Sequence, residues 1–201
     1  MSDLPQPATA RGEATRRKLL DAAELEFGER GFHAASISSI TGRAGVAQGT
    51  FYLYFPSKEE ILRELVRYMG RELRRSLSEA TSSCHDRMEV ERKGLQAFVE
   101  FSLAHENLYR VVMQSQFVDE GVYREYYRTL ADGYSQGLAR AHDAGEIRSG
   151  DAEAQAWALM GIAHFLGLRY AIWEKREPPP EAMETLFDLI AVGLAPRDEN
   201  T

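Results

Sequence analysis

The sequence predicts an all-α protein in which a small three-helix head precedes a larger helical body. Three observations carry this. No stretch alternates apolar and polar residues over a useful length and β-branched residues are sparse, which excludes a sheet. Apolar positions recur at helical spacing from Ala14 onward, and Gly or Pro interrupts them at intervals that suit helix ends.

The first helix is expected over Ala14–Arg30, with Leu19, Leu20, Ala23, Leu25 and Phe27 as its apolar set and Gly31 as its terminator. Ile37, Ile40, Thr41 and Ala44 mark a short second helix stopped by Gly45, and Gln48–Phe55 a third that ends at Pro56. Ser57-Lys58-Glu59-Glu60 reads as a capping box that opens a long fourth helix to about Ala80, through Ile61, Leu62, Leu65, Tyr68, Met69, Leu73 and Leu77. Beyond it, helices are expected at Met88–His105, Asn107–Gln116, Glu120–Ala144, Asp151–Glu174 and Glu181–Leu194, separated by Gly145, Gly150 and the run Pro178-Pro179-Pro180. Residues 1–12 are expected to be a disordered arm, 13–57 the head, 58–195 the body and 196–201 a tail.

Composition narrows the function. With 44% hydrophobic residues in a chain of 201, a packed core is expected. Cys84 is the only cysteine, which excludes an intramolecular disulfide and a cysteine metal cluster. Met1-Ser2-Asp3-Leu4-Pro5 has neither the basic start nor the apolar run of a secretory signal, so the protein is expected in the cytoplasm. Ala156–Trp173 approaches the length of a membrane span, but His164, Arg169, Gly161 and Gly167 suit a helix buried among other helices.

The net charge of −7 argues against a nucleic-acid partner until its distribution is considered. Residues 1–58 hold seven Lys or Arg against six Asp or Glu, whereas 59–201 hold seventeen against twenty-five. Between Arg30 and Lys58 there are three cations and no carboxylate. A head that is neutral to basic on an acidic body suits DNA binding joined to a sensing domain.

Ser36–Phe55 carries the pattern of two short helices joined by a tight turn, the second exposed and rich in small and hydrogen-bonding residues, which is the geometry that enters a major groove. Ile37, Ile40, Ala44 and Val46 are its expected inner face, and Gly45 permits the reversal. The run from Gly31 to Leu62, with Ala44-Gly45-Val46, Gly49-Thr50-Phe51-Tyr52 and Phe55-Pro56-Ser57-Lys58-Glu59-Glu60 at its centre, resembles the signature of the tetracycline-repressor (TetR) family almost position for position. It departs at Thr41, where alanine is frequent, at Ala47, where serine often caps the recognition helix, and at Tyr54, where histidine is frequent.

The resemblance implies a homodimeric, ligand-responsive regulator that binds double-stranded operator DNA, with repression relieved by a small effector. It places Gln48, Gly49, Thr50, Tyr52 and Tyr54 on the recognition helix, Gln48 and Thr50 toward base edges. Lys58, Ser36 and Arg43 become candidates for phosphate contact. Phe51 and Phe55 read as core, and Tyr52 as either core or contact.

The resemblance also implies dimerisation through the last two helices. Asp151–Glu174 is apolar around most of its circumference and so needs cover on two sides. Phe98, Phe101, Tyr109, Met113, Phe117, Tyr123, Tyr126, Tyr127, Trp157, Met160 and His164 form an aromatic and sulfur-rich set that suits either an effector pocket or plain core, with Arg169 as a further polar anchor beside the tyrosines and His164. The stretch from His105 to Gln116, with Leu108-Tyr109-Arg110-Val111-Val112-Met113 in it, is similar to regulators of this family that sense acyl-CoA or aromatic compounds. No cofactor or metal is expected. An enzyme lacks support: the sequence has no Gly-rich phosphate loop, metal-spaced histidine pair or nucleophile elbow. A helical interaction protein or an enzyme, without sequence-specific DNA binding, is the alternative.

Overall fold

The computed structural model describes residues 9–196, so most of the expected arm and tail lies outside the described residues. Among these the chain is helical throughout, with no strand: α1 Ala10–Arg30, α2 Ile37–Ala44, α3 Gln48–Phe51, α4 Lys58–Thr81, α5 Arg87–Ala104, α6 Glu106–Ser115, α7 Glu120–Asp143, α8 Ala152–Gly167, a π-helical segment Leu168–Glu174 and α9 Pro180–Leu194. Two compact units result. The first holds the chain up to Arg71 together with His105–Tyr126, the second Glu72–Ala104 and the chain from Tyr127 onward, so α4 and α7 contribute to both.

By this division the start of α4 and all of α6 group with the head, whereas the sequence placed a boundary after residue 57. α1 also begins earlier than expected, which makes Ala10–Gly12 helical: Thr9 Oγ1 accepts the Gly12 amide at 3.1 Å and caps the helix. It ends where Gly31, at φ 83°, turns its amide back to the Phe27 carbonyl. Its inner face buries Leu19, Ala22, Ala23 and Phe27.

Ser36 and Ser39 cap α2 reciprocally, and Gly45 closes it in the left-handed region at φ 67°. α3 is shorter than expected. Ala47 supplies no side-chain cap, and after Phe51 the chain tightens into three-residue turns, Leu53 N to Thr50 O and Tyr54 N to Phe51 O, before Pro56 stops it. Ser57 Oγ accepts the Glu60 amide as the capping pattern requires, whereas the Glu60 carboxylate is taken by Arg63 at 2.6 Å.

α6 docks on the end of α1. Gln114 Oε1 accepts the Phe32 amide and its Nε2 donates to the Phe27 carbonyl. A Cβ at Gly28 would fall within 2.2 Å of Asn107, so only glycine admits α6 at this distance.

The second unit is centred on Leu95, Val99, Leu138, Ala156, Leu159, Leu166, Tyr170, Ile190 and Leu194. Beside them Arg87 and Tyr134 both bond the buried Glu91 carboxylate, and Gly137 leaves the space that the Arg87 guanidinium fills. The helix expected over Asp151–Glu174 begins at Ala152 with Asp151 as its cap, and it widens into π-helix after Gly167. Glu174 grips both Arg169 and Arg176, whose guanidinium groups lie 4.8 and 5.3 Å from the Tyr170 ring.

Candidate nucleic-acid interface and effector determinants

The segment after Gly45 is anchored from beneath by two phenylalanines. Phe51 and Phe55 have no exposed surface and their rings meet at 5.8 Å. Their burial turns the intervening side chains outward: Gln48, Gly49 and Tyr52 are exposed, and Thr50 and Tyr54 half-buried. Tyr52, left open between core and contact, is 54% exposed. Leu53 is more exposed still, at 69%, and was not singled out in the sequence, where an apolar residue between two tyrosines reads as core. An added Cβ at Gly49 would meet nothing within 4 Å and its φ is not positive, so the folded chain itself has no need of glycine there. The missing side chain leaves room for an outside partner to approach the backbone.

The three phosphate candidates each have hydrogen-bond partners within the chain. Ser36 is exposed, but its Oγ accepts the Ser39 amide as a helix cap. Arg43 ties α2 to α1: it meets Glu26 at 2.9 Å and forks onto both oxygens of Glu29 at 2.7 and 3.1 Å. That hydrogen bond holds the Glu29 carboxyl below its usual range. Lys58 Nζ donates to the carbonyls of Phe32 and Ala35, each at 2.7 Å, and lies 4.2 Å from the Phe32 ring centre. Arg43 and Lys58 are thus internal fastenings, a role that depends on acceptors 14 to 26 residues away.

The effector candidates are divided between the units. In the first, Tyr109 and Tyr126 are buried and Met113 and Tyr123 half-buried; burial pushes the Tyr109 phenol up. Phe117 lies on the turn after α6, 81% exposed, and is removed from any interior set. In the second, Phe101 is buried and Phe98, Tyr127, Met160 and His164 are half-buried. The Tyr127 hydroxyl stands 3.4 Å from His164 Nδ1 with the rings edge-on, and burial lowers the His164 pKa. Arg169 is not with them: it is exposed and spent on Glu174. Trp157 is likewise exposed, as are Phe165, Trp173, Leu189 and Val192.

A groove of about 300 Å³ that the sequence did not indicate lies between α5, α9 and the proline run, floored by Leu95, Val99, Met183 and Phe187. Arg92 closes one side, 3.7 Å from the Phe187 ring centre and bonded to Glu184 at 2.7 Å. Among the described residues no group of three or more His, Cys, Asp or Glu could hold a metal ion, and no helix is long and apolar enough to cross a membrane.

Residues 19–65 match the model of bacterial regulatory proteins, tetR family. An uncharacterised HTH-type transcriptional regulator of Bacillus subtilis, YdgC, is 51% identical over 57 residues, which span 28% of this chain and 29% of that protein. A second from the same organism, YhgD, is 24% identical over 184 residues, 88% of this chain and 95% of the relative. Among solved structures, the transcriptional regulator FadR of Bacillus subtilis in complex with stearoyl-CoA superposes with a TM-score of 0.77 at 23% identity, over 88% of this chain and 98% of the other.

Proposed function

We infer that this chain, which carries the DNA-binding domain of the tetR family of bacterial regulatory proteins, is a ligand-responsive transcriptional regulator that binds operator DNA through the residues between Gln48 and Tyr54. The observation that carries the reading is the pair of fully buried phenylalanines, Phe51 and Phe55, holding exposed Gln48, Gly49, Tyr52 and Leu53 outward. Gln48 and Thr50 have the donors and acceptors to read base edges, Leu53 suits a thymine methyl, and Gly49 permits close approach. A cytoplasmic location follows from that partner.

The regulator acts as a homodimer. The large apolar side chains exposed along α8, the π-helical segment and α9, namely Trp157, Phe165, Trp173, Leu189 and Val192, suit a second copy of the chain. Pairing sets the two recognition elements about 34–36 Å apart, one helical turn of DNA. The effector is an apolar or amphipathic molecule, with fatty acyl-CoA the favoured class because a structural neighbour was solved with stearoyl-CoA. Tyr127 and His164 are its polar anchor in the second unit, where Phe101 and Met160 offer apolar surface. Effector binding releases the operator, and α4, continuous from one unit into the other, carries the coupling of about 1–3 kcal/mol typical of such linkage.

Selection of duplexes from a random pool, followed by release with palmitoyl-CoA, tests this directly. A recovered palindrome whose complex dissociates on adding the acyl-CoA is the expected result; recovery of no preferred sequence would remove the DNA reading.

A further inference from the structure

Base contacts specify a site, but most of the grip on DNA comes from cations that meet backbone phosphates. In the first unit nearly all cations are already engaged. Arg43 is held by Glu26 and Glu29, Lys58 by two carbonyls, Arg17 by Asp21 and Arg16 by Glu64. Arg30, Arg63, Arg67, Arg71, Arg110 and Arg124 each have a carboxylate within 4 Å. Among the described residues of this unit only Arg11 and Lys18 have neither a carboxylate nor a carbonyl for a side-chain partner.

Both are exposed and both lie in the first half of α1. Seven residues is nearly two turns, so the two side chains project within about 20° of each other around the helix. The same stripe continues at helical spacing through Ala22 to Glu26 and Glu29, the two carboxylates that hold Arg43 of α2. One face of α1 therefore carries α2 at its C-terminal end and two free cations at its N-terminal end, on the side to which the helix-turn-helix is docked.

We propose that Arg11 and Lys18 form a second contact of each protomer with DNA, a clamp on backbone phosphates beside the bases read by the recognition element. It rests on the regulator reading above. The clamp supplies sequence-independent affinity that Arg43 and Lys58 are not free to give.

The test measures dissociation constants by fluorescence anisotropy across a NaCl series, on a duplex selected by the wild-type chain and on a scrambled duplex. Each phosphate contact adds about 0.9 to the slope of log affinity against log salt, so Arg11→Gln with Lys18→Gln flattens the slope of a bound dimer by about 3 to 4. Both duplexes weaken by the same factor, while Arg11→Lys with Lys18→Arg keeps the wild-type slope. An unchanged slope in the glutamine variant, with wild-type melting and dimerisation, overturns the clamp and leaves the regulator reading standing. Weakening confined to the selected duplex at unchanged slope overturns it too, since the residues would then read sequence. If the wild-type chain binds neither duplex at any salt, the regulator reading falls and the clamp with it.

Discussion

The carboxamide of Gln114 accepts the amide hydrogen of Phe32 at 2.7 Å across 82 residues of sequence, fixing α6 to the turn between α1 and α2. The same carboxamide donates to Phe27, so one side chain satisfies the backbone on both sides of Gly31. Gln114→Ala removes both bonds and leaves the Phe32 amide, in a part-buried position, without its acceptor. The expected loss of stability is about 1–3 kcal/mol, read as a lower denaturant midpoint. An unchanged midpoint would mean that water replaces the carboxamide.

Lys58 is expected to behave as a strut. Lys58→Met should lower stability by about 1.5–3 kcal/mol, because two charge-assisted bonds to Phe32 and Ala35 are lost. The salt slope of DNA binding should stay as in the wild type. A flatter slope at preserved stability would return Lys58 to phosphate contact.

Gly49→Ala separates fold from function. An added methyl meets no atom within 4 Å and sits in α3, so stability should be unchanged or rise by up to about 1 kcal/mol. Operator affinity should fall at least tenfold, because the methyl occupies space needed by DNA. Gel shifts on a selected operator decide this, and undiminished binding would exclude close backbone approach at Gly49.

Tyr52→Ala and Leu53→Ala should each weaken the selected operator more than a scrambled duplex, with the dimer intact by sedimentation. The discrimination lost should be about 1–3 kcal/mol for a side chain that reads a base pair. Equal weakening on both duplexes would assign these residues to the sugar-phosphate backbone.

Acid should act on the Arg63–Asp119 pair. The hydrogen bond from Arg63 holds the Asp119 carboxyl below its usual range. A carboxylate with a depressed folded pKa stabilises above its unfolded value of about 4, and that contribution is lost as pH falls through the folded pKa. Wild type and Asp119→Asn should therefore differ in denaturant midpoint near neutral pH and converge well below pH 4. A difference that persists at pH 2 would show that the asparagine acts through packing.

Much of the head was legible because its signals are local. Gly45 after Ala44, Pro56 after Phe55 and Ser57 before Lys58 each set a backbone conformation within a few residues, and the end of α2 and the start of α4 fall where those residues place them. α3 was read too long, since Gln48–Phe55 is helix-compatible throughout and only the hydrogen-bond pattern distinguishes α-helix from tighter turns. The π-helical turn after Gly167 escaped for the same reason: no residue from Leu168 to Glu174 announces a wider helix.

The amino-acid sequence by itself determined the all-α class, the helix-turn-helix and the burial of Phe51 and Phe55, because periodicity, caps and turn residues act over one or two helical turns. Only the tertiary structure decided which charges are free. Arg43 and Lys58 are cations like Arg11 and Lys18, yet the first two meet acceptors 14 to 26 residues away that folding brings to them and the last two do not. The availability of a cation depends on what lies within 4 Å of it in space, and for Arg16, Arg43, Lys58 and Arg67 those neighbours are distant along the chain.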